Sequence, residues 1–127
     1  MELLPHNQKG DTKLKYFKKS EFECPCCGRQ ATDLLMQLMD EVRGLAGIPF
    51  RINSAKRCPK HNDDVGGKEK SAHVSGLAAD VACYTSTGRF KIINSALSCG
   101  ITRIGIYKTF VHLDISKDNP QEVIWYG

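Results

Sequence analysis

The sequence predicts an α+β domain, a small and mainly antiparallel sheet with helices packed on it. Two segments repeat apolar residues at helical spacing, and three consecutive runs near the C-terminus are rich in β-type residues separated by short turns. The helical segments stand apart from a largely antiparallel set of strands, which is the α+β arrangement.

The clearest helix is "ATDLLMQLMDEVRGLAG", residues 31–47, with Leu34, Leu35, Leu38, Met39, Val42 and Leu45 at helical spacing. Thr32 can cap it, and Gly44 and Gly47 lie where it ends. Pro49 then leads into "FRINS", residues 50–54, a short strand in which Phe50 and Ile52 alternate with polar neighbours. From Ala55 to Ser75 the chain is polar and aperiodic, with Val65-Gly66-Gly67 in the middle. That reads as one long loop, and loops of such length in compact domains are uncommon unless they are functional. "GLAADVAC", residues 76–83, is a buried strand, and "TGRFKIINSALSCG", residues 87–100, is a second helix capped by Thr87 and stopped by Gly100. "TRIGIYK", "TFVHLDIS" and "EVIWYG" supply the remaining strands. The chain contains neither an internal repeat nor a low-complexity tract.

A chain of 127 residues suits one domain with a single core. An N-terminal segment over 1–30 carries three of the six cysteines, and the core occupies 31–127. Hydrophobic content of 41% with 25% charged residues excludes disorder, and no apolar run reaches bilayer length. The opening residues lack an apolar core and a small-residue cleavage site, so the expectation is a protein made in the cytoplasm without a signal peptide. A net charge of +4, with Lys13, Lys15, Lys18 and Lys19 early in the chain, suits loose attraction to any anionic polymer, nucleic acid or cell wall, and selects neither. Six cysteines without a secretion signal favour buried thiols or a metal site over a disulfide framework.

A catalytic zinc site needs three protein ligands and one open position. His73 in the loop, Asp80 in the strand that follows and His112 in a later strand can supply that set. Phe110, His112 and Asp114 alternate along "TFVHLDIS" and therefore share a strand face. A histidine and an aspartate on an otherwise apolar face are costly to bury unless they are paired or bound to metal. Taken singly, each histidine reads equally as a surface or hydrogen-bonded residue.

The block "NSAKRCPKHNDDVGGKEKSAHVSGLAADV" resembles the zinc D-Ala-D-Ala carboxypeptidase family, relatives of the D-Ala-D-Ala dipeptidases, of phage endolysin peptidases and of the Hedgehog domain. The matching positions are Arg57, Asn62, Val65-Gly66-Gly67, Ser71, His73, Gly76, Ala78, Asp80 and His112, within a likeness over about residues 31–116. The resemblance implies a Hedgehog or D-Ala-D-Ala peptidase-like fold in which His73, Asp80 and His112 hold zinc while Arg57 and Ser71 contact substrate. Zinc lowers the pKa of a bound water to about 7 and polarises the scissile carbonyl, so no nucleophilic side chain is needed. Arg57 offers a planar fork of donors to a terminal carboxylate or to a developing oxyanion. Gly66, Gly67 and Gly76 let the backbone turn sharply near the site. As alternatives, Arg57 is a plain surface charge and Ser71 a turn cap.

Relatives place a Glu, Asp or His two or three residues before the last zinc ligand, where this chain has Phe110 and Thr109. Asp114 is the remaining acid close in sequence, and it is expected either as the general base or as a carboxylate that orients a histidine. Cys24-x-x-Cys27 and Cys58-x-x-His61 have the spacing of a second, structural zinc site, against a redox pair or plain buried thiols. Cys83 and Cys99 read as core.

The leading reading is a zinc peptidase acting on peptidoglycan stem peptides, D-Ala-D-Ala carboxypeptidase-like, with length and charge suited to a phage or prophage lysis enzyme. An endopeptidase-type endolysin and a non-catalytic metal-containing cell-wall module are the alternatives. The partner in the leading reading is a peptidoglycan peptide met by a monomer, with no nucleic acid and no membrane.

Overall fold

A computed structural model describes residues 13–68 and 71–127. The expectation of a leaderless start rests on residues 1–19, of which 1–12 lie outside the described residues. Eight regular elements follow a 3-10 turn at Lys19–Phe22: α1 (Asp33–Ala46), β1 (Ile52–Ser54), α2 (Pro59–Asp64), β2 (Ala78–Ala82), α3 (Ser86–Ser98), β3 (Arg103–Ile106), β4 (Phe110–Asp114) and β5 (Val123–Tyr126). The five strands form one sheet in the order β1-β2-β4-β3-β5. Every pairing is antiparallel except that of β3 with β5. The parallel pair needs no long crossover because β4 runs back along β3 and returns the chain to the end where β3 began.

Strand periodicity splits the sheet into two faces. Ala79, Val81, Cys83, Ile104, Val111 and Leu113 point to one side and pack with Leu35, Met36, Met39 and Val42 of α1 and with Ile92 and Ala96 of α3. Each large side chain buried there contributes roughly 1.5–3 kcal/mol. Phe17, Phe22 and Phe50 extend this core under the N-terminal segment, Phe17 meeting the Phe22 ring edge-on at 5.2 Å. The opposite face, carrying Asp80, His112 and Asp114, is left for chemistry. Among the described residues no helix is long and apolar enough to cross a membrane.

The structure corrects three local expectations. Helix α3 starts earlier than expected, with the Thr85 hydroxyl rather than Thr87 capping it by accepting from the Gly88 amide. Leu34 and Leu45 of α1 are exposed, and Met36 takes a core position instead. The aperiodic stretch 55–75 contains α2, too short for a hydrophobic stripe to reveal but started by Cys58 as N-cap and Pro59 at the first turn.

At Gly76 the chain enters β2 with φ of 75°, while its carbonyl accepts from both the amide and the hydroxyl of Thr32 at the start of α1. A Cβ at this position would lie 3.2 Å from the Ala31 and Thr32 backbone. Gly76→Ala is therefore expected to destabilise the fold by about 1–2 kcal/mol or more from the left-handed conformation and the backbone contact together. Thermal unfolding that leaves the midpoint unchanged would contradict this.

Candidate active site

Register across the sheet builds the site. Ser54 pairs with Asp80, Asp80 with His112, His112 with Gly105 and Gly105 with Trp125, so one residue from each of the five strands stands in a single row. Asp114 and Arg103 are paired in the next row on the same face. His73 comes from the loop before β2 and is 3% exposed. Its Nδ1 lies 2.7 Å from the Ala55 carbonyl, an acceptor only, so Nδ1 donates there and Nε2 is the nitrogen turned to Asp80. The Arg57 amide in turn donates to the His73 carbonyl at 2.9 Å, locking the two halves of the loop together.

These placements converge. His73 Nε2 is 3.3 Å and His112 Nδ1 2.8 Å from the same Asp80 oxygen. One ligand atom from each of His73, Asp80 and His112 lies within 4.8 Å of the others, a spacing that suits a shared cation. On the far side of its ring, His112 Nε2 meets Asp114 Oδ2 at 3.0 Å. The other Asp114 oxygen accepts from the Ser116 amide at 2.8 Å and hydroxyl at 2.6 Å, and Arg103 Nε sits 3.4 Å from it. Both oxygens of Asp114 are thus engaged, and the carboxylate faces the ring nitrogen that points away from Asp80. A carboxylate placed in this way can orient the histidine through its Nε2 proton.

Arg57 is held on three sides. Its Nε donates to the Ser54 hydroxyl at 3.1 Å, Nη1 to Asn62 Oδ1 at 3.2 Å, and Nη2 lies 3.7 Å from Asp80. Asn62 is buried and donates onward to the Lys68 carbonyl. A Cβ at Gly67 would strike the Asn62 side chain, so the glycine leaves room for this clamp. Ser71 accepts from the His73 amide at 3.1 Å, acting as a turn cap while it also lines the cavity. The cavity, about 510 Å³, is bordered by Arg57, Lys68, Ser71, Tyr107, Phe110 and Trp125 besides the central residues.

Charge within the site is strongly organised. Burial opposes ionisation of Asp80, but hydrogen bonds from His112 and His73 outweigh it and hold the carboxyl down at about 2. Asp114 is likewise lowered to about 2 against its burial by His112 and Ser116. Burial disfavours the His112 imidazolium, yet Asp114 and Asp80 on either side lift it to about 9.

Several neighbours of the site went unread in the sequence. Arg103 packs over the Trp125 ring, and Trp125 lies across Gly105, where a Cβ would collide with its indole, to reach the His112 ring at 5.6 Å. Tyr107 accepts from Trp125 Nε1 at 2.8 Å and stacks on Phe110. No short motif joins these residues; only the β3–β5 pairing does. The proposed set of Cys24, Cys27, Cys58 and His61 is brought together in part. Cys24, Cys27 and Cys58 place their sulfurs within 4.8 Å of one another, whereas His61 is not part of that group. Cys83 and Cys99 are buried in the core.

The family model for peptidase M15 matches residues 15–114. No curated protein matches the chain.

The pH response of the metal-free protein follows from these shifts. The raised His112 contributes stability in full below its ordinary value of 6.5 and loses it as pH climbs through about 9. The lowered Asp80 and Asp114 contribute in full above their ordinary 3.8 and lose it as pH falls through about 2. Chelated protein is expected to be most stable between about pH 4 and 6.5, and to lose on the order of 1–3 kcal/mol between about pH 6.5 and 9. Urea unfolding of wild type and His112→Asn across that alkaline range checks it, since an equal loss in both would place the titration elsewhere.

Proposed function

The chain belongs to the peptidase M15 family of metallopeptidases, and on that premise we propose that it is a zinc-dependent peptidase hydrolysing amide bonds of peptidoglycan stem peptides, in the manner of a D-Ala-D-Ala carboxypeptidase. The observation that carries this reading is the convergence of His73, Asp80 and His112 in a cavity beside a clamped arginine. The donor set fits zinc: two imidazoles and one carboxylate, with the outward nitrogen of each ring already committed to Ala55 or Asp114. A zinc ion held by these three would supply Lewis acidity toward a scissile carbonyl and toward water.

The chain's own residues supply the rest. Arg57, pinned through Ser54 and Asn62, presents its guanidinium at the cavity with little conformational freedom left to lose on binding. With Lys68 on the same wall, it makes the cavity favourable to a terminal carboxylate, which supports carboxypeptidase over endopeptidase action. Ser71 borders the same space and is read as a substrate contact as well as a turn cap. Tyr107, Phe110 and Trp125 provide an apolar wall against which a small side chain can pack. Asp114 enters as a positioning residue for His112, not as the proton acceptor. Among the described lining residues the carboxylates are Asp80 and Asp114, both engaged, and this favours as second reading a non-catalytic metal-containing module.

Defined muropeptides incubated with and without a chelator separate these outcomes. Chelator-sensitive release of free D-alanine is expected; internal cleavage would mean an endopeptidase of the endolysin type, and binding without cleavage the module. Asp114→Asn should weaken zinc binding by roughly 10–100-fold while hydrolysis recovers at saturating zinc. Activity that stays lost with zinc fully bound would instead return Asp114 to the role of base.

A further inference from the structure

The peptidase reading leaves the thiols of the N-terminal segment without a task. Cys24 and Cys58 are 34 positions apart, yet the Cys58 amide donates to the Cys24 sulfur at 3.3 Å. The turn Cys24-Pro25-Cys26-Cys27-Gly28 is closed by the Gly28 amide on the Cys24 carbonyl at 2.8 Å, with Gly28 at φ of 76°. This tight turn brings Cys24 and Cys27 to the same side. Cys58 caps α2, its sulfur accepting from the His61 amide at 3.4 Å. Backbone N–H groups aimed at sulfur in this way suit a thiolate rather than a thiol.

We propose that Cys24, Cys27 and Cys58 hold a second zinc ion, bound through thiolates and separate from the His73, Asp80 and His112 centre. All three cysteines are free, and their ligand atoms lie within 4.8 Å of one another. A disulfide would use two sulfurs and strand the third, and three thiolates so close repel one another unless a cation lies among them. Soft sulfur donors select zinc over the hard cations. Cys26, exposed on the same turn, lies outside the group of three converging sulfurs. The ion is structural in role. Cys58 follows Arg57 directly and starts the helix that carries Asn62 onto that arginine, so the thiol site fastens the N-terminal turn to the clamp of the cavity.

Metal analysis of the purified full chain tests the assignment. About two zinc ions per chain are expected, and about one in His73→Ala/Asp80→Ala, which removes the other centre without touching the thiols. Cobalt-loaded His73→Ala/Asp80→Ala protein should show thiolate-to-cobalt charge-transfer absorption, lost when Cys58→Ser is added. A single zinc that disappears in His73→Ala/Asp80→Ala, or a cobalt spectrum without thiolate absorption in that variant, would overturn the proposal. The latter measurement keeps every cysteine intact, so it decides the matter even where Cys58→Ser fails to fold. It also reads the thiols alone, so failure of the peptidase reading and failure of this one are told apart.

Discussion

The pairing of Asp80 on β2 with His112 on β4 is the constraint on which the rest of the site depends. Side chains alternate along a strand, so a slip of one residue would turn Asp80 into the core and bring Val81 to the cavity. The apolar residues on the other face forbid that slip: Ala79 and Val81 are fully buried against the helices, as are Val111 and Leu113 of the partner strand. Packing on one side of the sheet thereby sets chemistry on the other. Ser54, Gly105 and Trp125 inherit their places from the same register, one supporting Arg57, one leaving space, one covering His112.

Charge is the second constraint. Two carboxylates are buried on this face, each 6% exposed or less, and neither stands alone. Asp80 has both histidines and Arg57 beside it; Asp114 has His112, Ser116 and Arg103. Buried charges paired and hydrogen-bonded in this way are tolerable, whereas removing one partner leaves an uncompensated charge. Without metal, His112 serves as the cation between two acids. Binding a cation at His112 Nδ1 requires that nitrogen to give up its proton, so metal and proton compete for one position, while Asp114 retains the proton on Nε2 in either state.

Much of this was legible in the chain. The amphipathic helix with Thr32 as its cap, the β-rich C-terminal runs and the α+β class follow from local periodicity and capping, which act over a few residues. His73, Asp80 and His112 were legible as a set because their spacing matches a family pattern, and His112 with Asp114 because alternation puts them on one face. Helix α2 escaped because six residues make no hydrophobic stripe. Either threonine can cap by composition, and the backbone geometry before α3 selects Thr85 over the expected Thr87.

Residue types and spacings by themselves determined the fold class and offered the candidate ligands, while the arginine beside them came from the family resemblance. Tertiary structure decided the direction each polar atom faces. Asp114 stands across the His112 ring from Asp80, since the two nitrogens of one imidazole diverge and cannot both face a single point. His61 has the spacing of a fourth ligand, yet its ring nitrogens are not among the ligand atoms that converge with the three sulfurs. Trp125 and Arg103 joined the site only through the parallel pairing of β5 with β3, a contact between distant segments that no local pattern encodes.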